Sequence, residues 1–316
     1  MSTGSGVLAK CGISTPATWG AVWAAVSVPL PFDSESIDQA IEQLEDQALE
    51  GVAGQRAPEQ GLIKIAGALI GDMDYYNWGS MLKAAFGAEA SSGVFTFADD
   101  LAEIRRIEFE KSVSRWRIDS FMVEQCIISG EKGKALKIQF DLAGRMQARS
   151  SDAFPSISLT NRARILFSNS STNSRIRIAD QVDALASGDA VGWESFKFTI
   201  KNNLKADDAT NQQRYALQPV RNGFREVSLE FKDPRYTAET YRAWAEAGTL
   251  LQADLYFTNG TKTFLLELPE LKFKSGLNNN VSGPGVIVQE ATFGAYRNLN
   301  NTPMAAITNE ARITIA

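Results

Sequence analysis

Apolar and polar positions alternate with a period of two along most of the chain, and only short stretches show helical spacing. Strands are predicted at Gly61–Ile70, Val94–Phe97, Ile104–Glu110, Arg115–Ile118, Phe121–Ser129 and Ala135–Ala143. The apolar stretch Val22–Phe32 is broken by Pro29 and Pro31 and reads as an edge strand, since proline cannot donate to a ladder. Trp78, Met81, Leu82, Ala85 and Phe86 fall on one helical face, and Gly87 supplies the stop. Ile37, Ala40, Ile41, Leu44 and Ala48 share that spacing, with Ser36 and Gln39 placed as a capping box. A helix with an acidic outer face is therefore predicted over Ser36–Glu50.

After a polar, Ser/Asn-rich stretch at Ser150–Ser174, the pattern starts over. Gly61–Gly87 reads strand, Asp-containing turn, helix, glycine stop. Gly223–Gly248 reads the same: strand Phe224–Phe231, turn Lys232-Asp233-Pro234, helix Thr237–Ala247 with Tyr241, Trp244 and Ala245 inward, then Gly248. The paired glycines are 162 and 161 positions apart. Phe121–Gly144 and Leu271–Gly294 are two strands around a glycine turn at an offset of 150, which sets Gly133 on Gly283 and Gly144 on Gly294. A repeat of that length is too long for a solenoid and implies a duplicated domain with pseudo-symmetric halves. The expected organisation is an N-terminal arm over 1–24, a first domain over 25–155, a connecting segment over 156–190, a second domain over 191–298 and a C-terminal tail over 299–316.

Composition narrows the chemistry. The 316 residues are 44% apolar, enough for one large core or two medium ones. The formal net charge of −5 gives no general electrostatic reason to hold nucleic acid. There is no histidine, which excludes His-based acid/base catalysis, His metal ligation and any Ser-His or Cys-His pair. The two cysteines, Cys11 and Cys126, stand in no metal or redox spacing, and Cys126 lies in an apolar strand pattern, as a buried free thiol would. A reducing compartment fits that usage. The segment Met1–Ala25 lacks a basic region followed by a continuous apolar run, and Ala21–Leu30 is too short to span a bilayer, so an intracellular protein without a membrane partner is expected.

Each candidate site has a plainer reading. Gly130-Glu131-Lys132-Gly133-Lys134 lacks phosphate-loop spacing and joins two strands, so it reads as a hairpin turn. Asp72 with Asp74, and Asp99 with Asp100, are carboxylate pairs in turns, where aspartate bonds its own backbone. Ala163–Phe167 and Arg175–Ile178 alternate basic and apolar residues as a half-buried strand does, with Asp180 and Asp183 nearby. Asn259-Gly260 predicts a tight primed-turn hairpin between Leu255–Thr258 and Lys262–Leu268. No catalytic, cofactor-binding or metal residue is nominated, and no enzyme activity or cofactor is expected.

The order of these elements carries a resemblance. Glu50–Gly61, rich in small residues with Pro58, followed by a strand, Asp72-Met73-Asp74-Tyr75 and the Met81–Gly87 helix end, resembles the opening of siphophage tail tube proteins. Trp193–Leu204 is similar to that family's central strand and Asn-ended turn. Asn222–Gly248, the apolar hairpin after it and the Leu268-Pro269-Glu270-Leu271 corner complete the likeness, which covers about Ala25 to Asn298. The resemblance implies a mainly β protein with a few short helices, built as two tandem tail-tube-like β-sandwich domains whose sheets join neighbouring subunits into an inner β-barrel. It further implies a structural, non-enzymatic virion protein, assembled in the host cytoplasm and located in a non-contractile viral tail. Rings of it would stack into a helical tail tube serving as the DNA ejection conduit, with an acidic lumen that repels phosphates and binds no DNA specifically. Its partners would be itself, as a trimer with pseudo-sixfold symmetry or alternatively a hexamer, and the tape measure, tail terminator and distal tail proteins. Ring-to-ring contacts are expected from Ser36–Glu50, Lys205–Arg214, the N-terminal arm and Leu299–Ala316, the last by adding a strand to a neighbour or as a strand of its own sheet. The alternatives are another ring-forming part (distal tail, baseplate or tail terminator protein) and a carbohydrate-binding β-sandwich protein or hydrolase.

Overall fold

The computed structural model describes the chain apart from residues 1–5, 15–17, 22–24, 46–56, 102, 151–153, 155–158, 160–161, 169–171, 207–213, 236–237, 277–285 and 300–302. Among the described residues, eighteen strands are linked by pairing into one network, and every strand pairing in it is antiparallel. The mainly β expectation holds at this level.

Two α-helices interrupt the strands. Gly79–Phe86 buries Met81, Leu82, Ala85 and Phe86 and ends on Gly87 at φ 90°. Thr240–Ala247 buries Tyr241, leaves Trp244 and Ala245 half-buried, and ends on Gly248 at φ 64°. Both glycines hold the left-handed conformation that closes a helix without a Cβ penalty.

The same succession of pairings runs twice. In the first, Asp38–Leu44 pairs with Glu59–Asp72, which pairs with Lys137–Gly144, which pairs with Arg115–Glu131. The near end of Arg115–Glu131 then pairs with Arg105–Glu110, and that with Lys10–Ile13. In the second, Ser195–Lys201 pairs with Glu226–Asp233, then Gln289–Ala295, then Thr263–Gly276. Thr263–Gly276 continues to Leu251–Thr258 and Ser174–Asp180.

Each long strand serves two layers because it is bent at two bulges. In Arg115–Glu131 the register breaks between the pairs Ile107↔Ile118 and Arg105↔Phe121, and again between Leu142↔Val123 and Asp141↔Gln125. In Thr263–Gly276 the breaks lie between Ala253↔Leu268 and Leu251↔Leu271, and between Phe273↔Phe293 and Ser275↔Thr292. An extra residue adds local twist and re-aims the strand, which is what lets its two ends join different neighbours. The four corresponding positions on the long strands are all 150 apart. The strand after each turn is displaced by 151, because Leu142 and Phe293, both buried, stand opposite Val123 and Phe273. Gly144 therefore corresponds to Ala295 and not to Gly294; Gly283 lies outside the described residues.

Several local expectations are corrected. Asp38–Leu44 is a strand where an acidic helix was predicted: its backbone is laddered onto Glu59–Asp72, and of the supposed apolar face Ala40, Ile41 and Leu44 are exposed. Ala48 lies outside the described residues. Arg115–Ile118 and Phe121–Ser129 are one strand, continuous through a buried corner. There Arg145 Nη1 donates to Asp119 Oδ2 at 2.7 Å and the Gly20 amide donates to Ser120 Oγ at 3.0 Å. Part of the supposed arm is integral, since Lys10–Ile13 buries Cys11 and Ile13. Of the predicted edge strand Val22–Phe32, only Val28–Pro29 is paired among the described residues.

The C-terminal strand Arg312–Ile315 inserts between Thr263–Gly276 and Val94–Phe97 of its own chain, with Ile313 fully buried. Of the two expectations for the tail, the strand of its own sheet describes this chain. The principal core is continuous across both successions. It includes Trp78 stacked near Phe140 (5.8 Å between centroids) and Trp193 stacked on Phe231 (4.3 Å).

Candidate assembly surface

The most informative surface is the polar face of an eight-strand run. The first succession meets the second where Arg115–Glu131 pairs with Ser195–Lys201, in the register Ser195↔Glu131 to Lys201↔Gln125. This joins the run from Asp38–Leu44 at one end to Thr263–Gly276 at the other. Phe196, Phe198 and Ile200 point into the core, so Ser195, Lys197, Thr199 and Lys201 line the opposite face. The same alternation puts Lys137, Gln139 and Asp141 there, opposite buried Ile138, Phe140 and Leu142.

That face is mixed in sign. Lys137 Nζ lies 2.6 Å from both Asp33 and Asp72, and Arg164 lies 3.2 Å from Asp72. Partial burial works to raise the Asp72 pKa, but hydrogen bonds from Lys137 and Arg164 outweigh it and hold the carboxyl below its ordinary value. Lys197 pairs across strands with Glu230 at 3.8 Å, and Lys232 with Glu194 at 3.4 Å. Small side chains such as Ala66, Ala68, Ser129 and Thr199 separate these pairs.

The seam between the successions is locked at one end by Asn202, which is fully buried. Its amide donates to Glu124 O at 2.8 Å, and Nδ2 donates to Ala85 O at 3.1 Å and Val123 O at 3.0 Å. This residue was not singled out from the sequence beyond its place in an Asn-ended turn. A lone Asn after a strand carries no signal of a contact 117 positions away.

The residues that could carry chemistry are committed to turns and ladders. Gly130–Lys134 is a hairpin turn, with Gly133 at φ 86° and the Lys134 amide bonded to Glu131 O. The Gly133 and Lys132 amides are taken by Phe167 O and Glu194 O, leaving no cradle for phosphate. Asp74 is fully buried and caps its own turn by accepting from the amides of Tyr76 and Asn77 and from Asn77 Nδ2. The Asp99 carbonyl accepts from Arg221. Arg177 is a bidentate partner of Asp254, and Arg175 lies 3.6 Å from the same carboxylate, so these cations are committed inside the sheet. Asn259-Gly260 does form a hairpin, but with four loop residues: Thr258 pairs with Thr263, and Asn259 Oδ1 accepts from the Thr261 and Lys262 amides. Only Gly260 has positive φ there, which excludes type I′, the primed turn that needs two such residues. Both thiols are buried, and burial pushes their pKa values up, which makes them poor nucleophiles. Among the described residues, no group of three or more Cys, Asp and Glu side chains is placed to hold a metal ion. A glycan binder presents exposed aromatic side chains in a cleft, whereas Trp78 and Trp193 are buried and Trp116 and Trp244 half-buried.

A family model described as phage tail tube protein matches residues 6–295, nearly the whole chain, and the chain belongs to that family. It is a structural protein of the phage tail, as the tail tube resemblance read from its motifs implied. No curated protein compared with the chain matches it.

Proposed function

We propose that this chain is the major tail tube subunit, closing into rings that stack into the conduit for genome delivery. The observation that carries the reading is the eight-strand run with one polar face and two successions of identical pairing order. Two equivalent units in one chain, spanning Lys10–Gly144 and Ser174–Ala295 by their pairing and so taking in part of the expected arm and of the connecting segment, make a trimer with pseudo-sixfold symmetry the expected ring, with a hexamer as the alternative. A long sheet whose ends are unpaired is an aggregation hazard, and closing it on sister copies removes the hazard and yields a barrel.

In this reading the polar face lines the lumen. Net acidity is then not what keeps DNA moving, because the face carries both signs. Lys137, Lys197 and Lys232 are engaged by neighbouring carboxylates, so fewer cations are left to replace counterions on a phosphate backbone. The tape measure, tail terminator and distal tail proteins would meet the open ends of the tube.

Negative-stain electron microscopy of the purified chain tests the proposal. Long hollow tubes are expected. Single rings that never stack would point instead to a terminator or distal tail part, and a chain that stays monomeric at high concentration would overturn the reading.

A further inference from the structure

The internal seam is a template for the contact between chains. Taking the two successions as equivalent, Ser195–Lys201 corresponds to the segment carrying Ser34–Glu35 and Asp38–Leu44, displaced by 161. Ser195↔Lys232 and Phe196↔Phe231 match Ser34↔Ile70 and Glu35↔Leu69, and Thr199↔Ser228 matches Asp38↔Ala66. Arg115–Glu131 corresponds to Thr263–Gly276 at the 150 displacement set by both bulges. Yet Ser195–Lys201 is paired on both sides, whereas Asp38–Leu44 is paired on one and exposed at six of its seven positions. Beyond Leu271, Thr263–Gly276 pairs only with Gln289–Ala295 among the described residues, leaving Lys272, Lys274, Ser275 and Gly276 exposed. The two strand borders that the template would join are the two that stand open.

We infer that Asp38–Leu44 of one copy adds antiparallel to Lys272–Gly276 of the next, in the register Ala40↔Ser275, Gln39↔Gly276 and Ile41↔Lys274. The register is that of Lys201↔Gln125, Ile200↔Cys126 and the Asn202–Glu124 hydrogen bond, moved to the equivalent positions. The contact is head-to-tail, so it propagates round a ring and leaves no free border. It rests on the proposed tube function and adds the partner strands and their alignment.

The bond from the Asn202 amide to Glu124 O marks that pair as hydrogen-bonded, so its neighbour Lys201↔Gln125 is a non-hydrogen-bonded pair. Ala40↔Ser275 inherits that geometry, in which Cα atoms lie about 4.5 Å apart and a disulfide can close. The test is the full-length chain carrying Ala40→Cys with Ser275→Cys, oxidised during assembly and run on non-reducing gels. Native Cys11 and Cys126 are buried and do not compete. Covalent oligomers that end at one closed species, absent from either single variant, are expected. Tubes in the microscope with no link at this pair, or with a link only between Ala40→Cys and Lys272→Cys, would overturn the register while sparing the tube reading. Neither tubes nor link would overturn both. A second variant set keeps the result independent of disulfide chemistry. Ile41→Lys sets a lysine opposite Lys274 in this register and should lower ring yield, and adding Lys274→Glu should restore it. Failure of the combined variant to recover, with both variants folded by circular dichroism, would also overturn the proposal.

Discussion

Asn202→Ala should destabilise the monomer by about 2–4 kcal/mol, because one buried side chain donates to two backbone carbonyls at the seam. Ala85 O belongs to the last turn of the first helix, where carbonyls have no partner further along the helix. Val123 O sits beside the bulge at Glu124, where the ladder to Lys137–Gly144 is broken. Removing Nδ2 strands both, at about 1–3 kcal/mol each. Asn202 Oδ1 is itself buried without a partner, so its loss offsets part of that penalty. The net corresponds to a drop of roughly 30- to 1,000-fold in the folding equilibrium. Urea unfolding below the assembly concentration, followed by tryptophan fluorescence, reads the change as a lower midpoint at unchanged slope. Asn202→Leu is the control. It restores apolar volume but no donor, and if it proves as stable as the parent chain, the hydrogen-bond reasoning is refuted.

Gly67→Ala should lower the melting temperature markedly, since Gly67 sits at φ 149° and an added Cβ would lie 2.5 Å from Ile37 Cα and Ser36 O; an unchanged melting curve would contradict the geometry. Deleting 301–316 should destabilise the monomer, because it uncovers the seats of Ile307, Ala311 and Ile313 and opens two strand borders, readable as faster proteolysis. Asp72 and Glu110 both have lowered pKa values. In Asp72 burial is outweighed by Lys137 and Arg164, and in Glu110 the Lys10 hydrogen bond leads, with Arg115 assisting against burial. Groups depressed on folding lend stability above their unfolded values, about 4, and lose it as pH falls through the folded ones. Asp72→Asn should therefore flatten the acid limb of the stability profile below pH 4, and an identical acid limb would exclude Asp72 from it.

What the sequence determined by itself was local. Period-two alternation located most strands to within a few residues, and Gly87 and Gly248 closed their helices where expected, since a left-handed cap depends on a single residue's freedom. The absence of histidine and the isolation of both cysteines removed whole classes of chemistry before any coordinate was needed. Tertiary structure decided everything that depends on a distant neighbour. Ile37, Ala40, Ile41 and Leu44 have helical spacing, yet the segment is a strand, because its backbone finds a long partner in Glu59–Asp72 and little core opposite its supposed apolar face. The polar pair Asp119-Ser120 read as a break between strands; the fold turns it into a buried corner by supplying Arg145 and the Gly20 amide from elsewhere. The assembly surface was the least legible feature. An open strand border is defined by what does not stand beside it, and that is a property of the folded chain, not of any residue's spacing.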